Sequence, residues 1–443
     1  MVLINGVLID LPVLITIILI AGSLFYTGLL IVLSRRKSRV WEPRDWDAFT
    51  GVPRTVIFLM PCLNEETVIA RSLERLLTDN PVGDRRPSVH VVVIDDGSDD
   101  GTADVVRSFD DSRLHLHQRV LPNARKGKGE ALNDAFSRIV AGEFVSDLDP
   151  EQTIIAVVDA DGRLDPETLD YVLPSFDDPK LAGTQIGVRI NNRTSNLLAR
   201  MQDMEFVIYT EVYQRGRSQL GSVGLGGNGQ FVRLSALQGL GDKPWSKSLT
   251  EDLDLGIRLQ LLGYDLAFCP KVAVHQQGLV SLKRWLRQRA RWFQGFLQAW
   301  SQIWDVLTRL SGTRRVDLLV LLMLPAMLLI GAFFTLSMAL WLLTYTVGLF
   351  AGAELTFPWF LILAYVLAVG PSLVLTLIYR TMEPGLGPLT TLLFGHTYVG
   401  YSLLWILAGW RALWNQLRGQ TGWAKTDREA ENEEEATAAG ENT

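Results

Sequence analysis

Two pairs of acidic residues directly follow apolar segments of this chain. Asp95 and Asp96 come after the run HVVVI, and Asp159 and Asp161 come after IIAVV. Alternate residues of an extended segment point to the same side, so Asp159 and Asp161 can approach one cation. Carboxylate oxygens suit Mg²⁺ or Mn²⁺, which usually complete their coordination shell with substrate phosphates. The first pair, taken alone, also fits an ordinary turn after a strand.

A third acidic pair, Glu251 and Asp252, follows Thr250 and opens a stretch with helical spacing. Thr250 is a suitable N-cap for that helix. Acidic residues here can simply stabilise the helix dipole, but a carboxylate at this position could also remove a proton from a hydroxyl nucleophile. A basic loop lies between the first two acidic pairs: Arg125, Lys126 and Lys128.

The acidic pairs need a scaffold, and the apolar runs around them predict one. The runs TVIFLMP, HVVVIDD, IIAVVDAD and TQIGVRI are rich in β-branched residues and predict strands. Between them, residues 65–77, 102–109 and 128–141 have helical spacing. This alternation predicts an α/β fold with a mostly parallel sheet and helices on both faces. Ligands of such sheets bind at the carboxyl ends of the strands, where the acidic pairs fall.

Long uncharged runs predict a membrane region. Residues 11–33 could cross a bilayer, and the basic residues that follow place the next segment in the cytoplasm. The runs 318–345, 359–379 and 389–409 could each span as well. Three later spans would put the basic residues after 409 outside, against the positive-inside tendency. We therefore expect the third run, interrupted by glycine and histidine, to be partly re-entrant or interfacial, with a full span as the alternative.

Residues 281–307 predict a helix with two different faces. Trp, Phe and Leu recur on one face at helical intervals. The other face carries Lys283, Arg284, Arg287, Gln288, Arg289 and Arg291. A basic face opposite an aromatic one is typical of a helix that lies flat in a membrane interface. An ordinary surface helix of a soluble domain is the alternative.

Length and composition indicate two structural units. The 443 residues exceed what one compact core usually holds. The net charge of −6 comes largely from the last residues, EAENEEEATAAGENT, which are predicted to be disordered. Cys62 and Cys269 give no basis for a disulfide framework and fit a reducing compartment. We expect a transmembrane anchor (1–40), a cytoplasmic α/β domain (41–280), an interface helix (281–312), two or three further spans (313–415) and a cytoplasmic or exposed tail (416–443).

Five motifs occur in a fixed order: PCLNEE at 61–66, DDG at 95–97, DAD at 159–161, TED at 250–252 and QRARW at 288–292. With them the chain resembles the processive family-2 glycosyltransferases, the group of the cellulose, chitin and hyaluronan synthases, over about residues 55–300. Each motif is weak alone, but five with this order and spacing are specific. The resemblance implies a GT-A-type domain and an inverting hexosyltransferase.

The resemblance also implies roles for the donor-site residues. The UDP-sugar would be held by Pro61, Asn64, Glu65, Asp95, Asp96, Lys128 and Asp159. Asp159 and Asp161 would bind Mg²⁺ or Mn²⁺ at the diphosphate, with Asp161 the more direct ligand. Asp252 would be the general base for the acceptor hydroxyl, with Glu251 as the second member of the catalytic pair.

The QRARW segment would lie over the donor and acceptor sites. In the resemblance, Gln288 belongs to this segment, Arg291 lies near the diphosphate and Trp292 stacks on the acceptor sugar. A departing UDP needs positive charge, and a sugar ring packs its apolar face on an aromatic ring. Single displacement would give a β-linkage from an α-linked donor.

Two products fit these motifs. We favour a growing polysaccharide, and the alternative is one sugar transferred to a membrane lipid. Three or four spans make a thin channel wall, so a polymerase could require a homo-oligomer. The expected location is the cell membrane, multi-pass, with the catalytic domain in the cytoplasm and membrane lipid around the spans. A nucleotide-binding scaffold without catalysis is less favoured because every acidic position is retained, and no nucleic-acid partner is expected.

Three further segments have weaker assignments. The glycine-rich residues 226–230, GGNGQ, lie where the family has a segment near the acceptor, but a flexible turn is the alternative. Residues 423–428, WAKTDR, could reach the active site from the tail. His275 is expected to be structural, because no second His or Cys lies at metal-binding spacing.

Overall fold

A sheet of eight strands organises the computed structural model, which describes residues 2–4, 7–9, 11–37, 39–352 and 360–419. Two short N-terminal strands form a separate antiparallel pair: β1 (Val2–Ile4) and β2 (Val7–Ile9). The main sheet contains β3 (Thr55–Cys62), β4 (Ser88–Asp95), β5 (Leu114–Gln118), β6 (Thr153–Val157), β7 (Arg163–Leu164), β8 (Leu181–Ile190), β9 (Gln230–Arg233) and β10 (Asp265–Gln276).

The strands of the main sheet follow the order β5-β4-β3-β6-β9-β8-β10-β7. Pairs β3–β4, β3–β6, β4–β5 and β8–β10 are parallel, as the sequence predicts. β9 enters antiparallel between β6 and β8, and β7 lies antiparallel on β10, so the sheet is mixed. The predicted α/β class is confirmed, and β3, β4, β6 and β8 coincide with the four predicted strand segments.

Helices cover both faces of this sheet: α2 (Ile69–Thr78), α3 (Thr102–Arg107), α4 (Lys128–Val140), α5 (Thr168–Val172), α8 (Leu234–Gln238) and α9 (Glu251–Leu261). Because side chains alternate along a strand, β3 feeds two cores. Val56 and Phe58 lie in one core, whereas Ile57 and Leu59 lie in the other. Phe58 is fully buried. Its replacement by Ala should therefore cost about 3–5 kcal/mol of stability.

A long helical run leaves the sheet and reaches the apolar helices. It comprises α6 (Leu197–Ile208), a π-helix (Tyr209–Gln214) and α7 (Arg215–Ser218). Asn196 caps α6 by accepting a hydrogen bond from the Ala199 N–H. Gly216 lets this run approach the N-terminal helix α1 (Leu11–Ser34), because a Cβ there would lie 2.9 Å from the Leu30 carbonyl oxygen.

The C-terminal part of the structure consists of helices: α10 (Leu282–Gln298), a 3₁₀ turn (Ala299–Gln302), α11 (Ile303–Arg309), α12 (Gly312–Phe350), α13 (Phe360–Met382) and α14 (Pro388–Leu417). Among the described residues, three stretches are long and apolar enough to cross a membrane: Gly312–Phe333, Tyr365–Met382 and Pro388–Leu417. The predicted N-terminal helix is present as α1, with 24 residues.

The third predicted apolar run differs from our expectation. Gly395, His396 and Gly400 do not interrupt it, because α14 continues without a break. Gly395 instead allows close packing on α13, where a Cβ would meet Leu373 Cδ2 at 2.4 Å. The segment is therefore one continuous helix. A third full span of the membrane, the alternative prediction, requires such a helix.

The predicted amphipathic helix at 281–307 also differs in detail. It is divided into α10, the 3₁₀ turn and α11. Trp285 and Phe293 are buried against α14 rather than presented to lipid. Arg289, assigned to the basic face, is fully buried. The expectation of a uniformly basic solvent face was therefore wrong at Arg289.

One buried and one partly buried ion network join the sheet domain to the apolar helices. Arg217 Nε lies 3.3 Å from Asp317 Oδ2, and both side chains are buried. The Tyr26 hydroxyl of α1 donates to Asp317 Oδ1 at 2.8 Å. At the end of α13, Glu383 pairs with three arginines: Arg189, Arg193 and Arg200. Because removing one partner of a buried pair is strongly destabilising, these networks fix the two parts relative to one another.

Candidate active site

The second acidic pair and the basic loop meet at the carboxyl edge of the sheet. Asp159 follows β6, and Lys128 is the first residue of α4. Lys128 Nζ donates to Asp159 Oδ1 at 2.5 Å and to the Gly227 carbonyl oxygen at 2.6 Å. One ammonium group therefore connects the DAD segment with the glycine-rich segment.

The glycine-rich segment 226–230 lies among the site residues. A Cβ on Gly227 would be 3.4 Å from Asp252 Oδ2 and 3.4 Å from Lys128 Nζ. Asn228 Oδ1 accepts a hydrogen bond from the Asp159 N–H at 3.2 Å. The glycine-rich segment therefore fills the space between the DAD and TED motifs. These contacts distinguish it from a plain flexible turn, the alternative prediction.

The predicted catalytic pair, Glu251 and Asp252, lies in the first turn of α9, where charge and burial both affect its titration. Burial and the charge of Asp252 raise the pKa of Glu251 to about 7, although Lys128 opposes this shift. Burial also raises the pKa of Asp252. Burial would lower the pKa of Lys128, but nearby carboxylates, chiefly Asp159, outweigh it and raise that pKa. Glu251 can therefore gain or lose a proton near neutral pH while Lys128 stays charged.

The two acids of the DAD motif have different surroundings. Asp159 faces Lys128, whereas Asp161 is 4 % exposed and its Oδ2 accepts from the Gln277 N–H at 3.0 Å. No group of three or more His, Cys, Asp or Glu residues arranged for a metal occurs within the described ranges. His275 contacts Asp165 Oδ1 at 2.8 Å, in line with its expected structural role.

Asp95 and Asp96 both lie at the sheet edge, and the side chains of both form contacts that hold neighbouring loops in place. Asp95 Oδ1 accepts from the Ser98 N–H at 2.8 Å, and Asp95 Oδ2 accepts from Gln118 Nε2 at 3.1 Å. Asp96 forms a buried ion pair with Arg119. Burial raises the pKa of Asp96, and Arg119 opposes that shift. The two acids therefore help to form the turn after β4, which is the alternative role predicted for this pair.

The PCLNEE loop is tied to the loop after β4. Pro61 lies in β3, and Asn64 adopts a left-handed conformation with φ of 55°. Asn tolerates this conformation better than most residues. Asn64 Nδ2 donates to Asp99 Oδ1 at 2.5 Å, and the Glu65 N–H donates to Thr102 Oγ1 at 2.8 Å. The predicted nucleotide-binding residues of the two loops thus share one edge of the sheet.

Helix α10 brings the QRARW motif to the TED motif. Gln298 Oε1 accepts from the Leu249 N–H at 2.8 Å, which fixes the segment before α9. The charge of Arg291, like that of Lys128, opposes the rise in the pKa of Glu251, so Arg291 lies within electrostatic range of the predicted catalytic pair. Gln288 Oε1 accepts from Arg289 Nη1 at 2.8 Å. The structure therefore joins two motifs that lie more than thirty positions apart in the sequence.

Trp292 and two residues that the sequence analysis did not select border the same region. The Trp292 ring meets Phe206 edge to face at 6.1 Å. Tyr209 opens the π-helix, and its hydroxyl oxygen would lie 3.7 Å from a Cβ on Gly224, just before the glycine-rich segment. Glu205, one turn before Tyr209, binds Arg289. Glu205 could have been noticed in the sequence only as an acidic residue within the apolar stretch of α6.

The profile of the family described as "Glycosyltransferase like family 2" matches residues 53–295. The chain belongs to this family. The matched range contains all five motifs, so the recognition from sequence and the expected enzyme class are confirmed.

The relatives of this glycosyltransferase include proteins named for a glycolipid product and proteins named for a polysaccharide product. A beta-monoglucosyldiacylglycerol synthase of Nostoc sp. is 33 % identical over 333 residues, covering 72 % of this chain and 66 % of that protein. A poly-beta-1,6-N-acetyl-D-glucosamine synthase of Staphylococcus epidermidis is 26 % identical over 243 residues, covering 54 % of each chain. The chain spans just under two thirds of the length of the first of these relatives.

A solved structure resembles nearly the whole glycosyltransferase. It is a mannosyltransferase of Pyrobaculum calidifontis in complex with GDP-Man and Mn²⁺, with a TM-score of 0.60 and 19 % identity. The alignment covers 91 % of this chain and 99 % of the mannosyltransferase. This likeness confirms the predicted GT-A-type fold with its attached helices.

Proposed function

We propose that this glycosyltransferase transfers one sugar from a UDP-sugar to the hydroxyl group of a membrane lipid. The observation that carries the proposal is the contact of Lys128 with Asp159. This contact lies beside Asp252, at the sheet edge that α10 covers. The name of the Nostoc relative supports glucose as the sugar and diacylglycerol as the acceptor. We therefore place the lipid before the polysaccharide that the sequence motifs alone favour.

In the proposed reaction, Asp252 takes the proton of the acceptor hydroxyl. The acceptor oxygen then forms a bond to the anomeric carbon, while the bond from that carbon to the diphosphate oxygen breaks and its electron pair leaves with UDP. The raised pKa of Asp252 suits a base that must hold this proton. The positive charges of Lys128 and Arg291 would stabilise the charge that develops on the diphosphate. One displacement inverts the anomeric carbon and gives a β-linkage.

The proposed donor site uses the residues at the sheet edge. Loop residues Asn64 and Glu65, with Asp95 and Asp96 beneath them, would surround the nucleotide. Pro61 would shape the start of this loop from within β3. Trp292, half-buried beside Phe206, would stack on the acceptor or on the transferred sugar, and Gln288 would complete the α10 side.

A divalent cation, Mg²⁺ or Mn²⁺, fits the residues of the DAD segment. Asp159 and Asp161 offer carboxylate oxygens from one short segment, and the described residues add no third acidic or histidine ligand. Such a donor set suits an ion that takes further oxygen ligands from a diphosphate and from water. When bound, the ion would neutralise charge on the leaving diphosphate. The Mn²⁺ bound to the Pyrobaculum mannosyltransferase supports this assignment.

We further propose that the chain is a multi-pass protein of the cell membrane with its catalytic domain in the cytoplasm. The three apolar stretches of α12, α13 and α14 support the membrane location. α14 packs directly on α10, so a lipid acceptor would meet QRARW close to the bilayer. The proposed division is an anchor, a catalytic domain, α10 with α11, and the C-terminal helices. The predicted tail and residues 423–428 lie mostly or wholly beyond residue 419, outside the described residues.

A polysaccharide product is the second candidate. The QRARW motif beside the membrane helices favours it, as does the name of the Staphylococcus relative. With only a few helices available for a channel, this function would call for a homo-oligomer.

Product analysis separates the two candidates. Purified protein in nanodiscs receives labelled UDP-sugars, dioleoylglycerol and either Mg²⁺ or Mn²⁺, and the products are extracted with organic solvent and sized. We expect label from UDP-glucose in a lipid with one sugar, formed only when dioleoylglycerol is present. Solvent-insoluble label that a specific glycanase digests would instead establish the polysaccharide synthase.

A further inference from the structure

The carboxylate of Glu205 in α6 receives hydrogen bonds from two other helices. Arg289 Nη2 of α10 donates to Glu205 Oε2 at 2.6 Å. From α14, the Tyr401 hydroxyl donates to the same oxygen at 2.5 Å, and Trp405 Nε1 donates to Glu205 Oε1 at 3.0 Å. Bonds to a charged group are stronger than neutral ones, so this contact is a specific link between α6, α10 and α14.

Arg289 places its charge against aromatic rings. Its side chain is 0 % exposed, and its guanidinium carbon lies 4.0 Å from the centroid of the Trp292 ring. The rings of Trp285 and Trp405 lie at 5.4 and 5.5 Å from the same carbon. A buried guanidinium needs a counter-charge, and Glu205 supplies it. Cation–π attraction then holds one face of Trp292 on the guanidinium.

The two arginines of QRARW consequently have different surroundings. Arg291 is half-buried and its charge acts on Glu251, whereas Arg289 binds Glu205 of α6 and lies against Trp405 of α14. Arg289 and the edge of Phe206 together restrict the Trp292 ring. An aromatic platform fixed before binding loses less entropy when a ligand stacks on it.

We infer that Glu205 is a positioning residue that sets the orientation of Trp292 through Arg289, and that Tyr401 of the membrane-type helix α14 is part of this control. The inference rests on the proposed function, in which Trp292 carries the acceptor. It extends that function by making acceptor use depend on the packing of α14.

The first test is Tyr401→Phe, which removes the hydrogen bond to Glu205 and the one that the same hydroxyl accepts from Trp285 Nε1, and keeps the ring that packs on Trp285. With UDP-glucose and dioleoylglycerol in nanodiscs, we expect the KM for dioleoylglycerol to rise about fivefold to tenfold, because a bond to a charged group is lost. The KM for UDP-glucose should stay unchanged. Glu205→Gln removes the counter-charge of Arg289 and should act in the same direction more strongly.

Tyr379→Phe is the matched control. Its hydroxyl, on α13, donates to Asp203 Oδ2 at 2.8 Å and accepts from Arg200 Nη1 at 3.2 Å, so the variant likewise removes one donated and one accepted hydrogen bond, here between α6 and another apolar helix. We expect an unchanged KM for dioleoylglycerol. An equal rise in both variants would indicate general loosening of the helices and would overturn the inference.

A double variant tests the route through Trp292. If Tyr401 acts through that ring, Tyr401→Phe should raise the acceptor KM no further in a Trp292→Ala background; a further fivefold rise there contradicts the inference. If Trp292→Ala raises the acceptor KM while Tyr401→Phe and Glu205→Gln leave it unchanged, the inference fails and the proposed function stands. If Trp292→Ala itself has no effect on the acceptor KM, the proposed role of Trp292 fails, and the inference with it.

Discussion

Gly295 of α10 packs so closely on Thr250 that a Cβ at position 295 would lie 2.5 Å from Thr250 Oγ1 and 2.7 Å from the Thr250 nitrogen. Thr250 immediately precedes Glu251 and Asp252 at the start of α9. The helix that carries QRARW therefore sets the position of the catalytic pair by direct contact.

Replacing Gly295 by Ala should separate the two helices at this contact. Real Cβ atoms do not approach backbone this closely, so α10 or the start of α9 must shift. A displacement of about 1 Å at the catalytic pair can cost roughly a hundredfold in rate. We expect kcat of Gly295→Ala to fall by about that factor in a transfer assay.

Gly400→Ala in α14 is the control for this prediction. A Cβ on Gly400 would have no neighbour within 4 Å, and Ala is the better helix former by about 1 kcal/mol. This control should keep kcat and should not lower the melting temperature. If Gly295→Ala retains normal kcat, then the contact with Thr250 does not position the catalytic pair.

Asp252→Asn tests the proposed base. The amide has the shape of the carboxylate but cannot accept the proton of the acceptor hydroxyl, and a general base contributes about 10²–10⁴-fold to a rate. We expect transfer to fall by at least the lower of these factors, while UDP binding measured by calorimetry persists. Asp305→Asn, at a half-exposed position of α11, should transfer at the normal rate. Unchanged turnover in Asp252→Asn would exclude Asp252 as the base.

Glu251 should impose a pH dependence on both rate and stability. Its pKa is raised from 4.5 to about 7 by burial and by Asp252, so the folded protein binds more protons than the unfolded chain between these values. The contribution of this group to stability is therefore present below about pH 4.5 and is lost as pH rises through about 7. The proposed base must be deprotonated to act. We therefore expect kcat to rise with pH over the upper part of the same pH range, as Glu251 and Asp252 lose their protons.

Glu251→Gln removes the like charge beside Asp252, so the pKa of Asp252 should fall. We expect the rising limb of the pH–rate profile to move to lower pH, with Lys128 and Arg291 still present to stabilise the carboxylate. The loss of stability toward pH 7 should also weaken, as measured by denaturant unfolding at several pH values. A limb that stays in place in Glu251→Gln would show that another group controls it.

Four of the eight strands in the main sheet were predictable because their signal is local. The apolar runs of β3, β4, β6 and β8 are rich in β-branched residues and end at turn-forming or acidic residues. β9 was missed because its residues, QFVR, are too few to show a period, and its antiparallel place between β6 and β8 depends on partners distant in sequence. Local pattern thus identified the class of fold, while tertiary pairing decided the mixed order.

The motifs predicted which residues meet, but not what each side chain contacts. Asp159 and Asp252 were assigned to one site by the resemblance to the family-2 glycosyltransferases, which rests on the order and spacing of the five motifs. That Asp96 pairs with Arg119 could not be predicted, because the two residues follow different strands and meet only through the pairing of β4 with β5. The burial of Arg289 on Glu205 could not be predicted either, because a helical charge looks solvent-exposed until its partner helix is known. The apolar run of α14 likewise concealed a role for Tyr401 in the site.

Asp161→Ala tests the proposed cation. Removing this carboxylate should weaken UDP binding in Mg²⁺ or Mn²⁺ to the level that wild type shows in chelator, because the ion would lose a protein ligand. Asp165→Ala is the control: Asp165 lies after β7 and binds His275. It should leave the metal dependence of UDP binding unchanged. If wild type binds UDP equally well in chelator and in metal, the cation has no role in donor binding.

Lys128→Met separates the role of charge at the sheet edge from that of packing. Met has a similar length and fills the space, but it loses the bonds to Asp159 and Gly227 and leaves Glu251 and Asp252 without their nearest cation. The pKa of both acids should rise further, and we expect kcat/KM for UDP-glucose to fall by about 10²–10³-fold, as when one preorganised donor is removed from an active site. Lys126→Met, two residues away at an exposed position, should keep normal kinetics. Equal losses in Lys128→Met and Lys126→Met would show that the loop needs only its overall positive charge. Normal kinetics in Lys128→Met would contradict the proposed site.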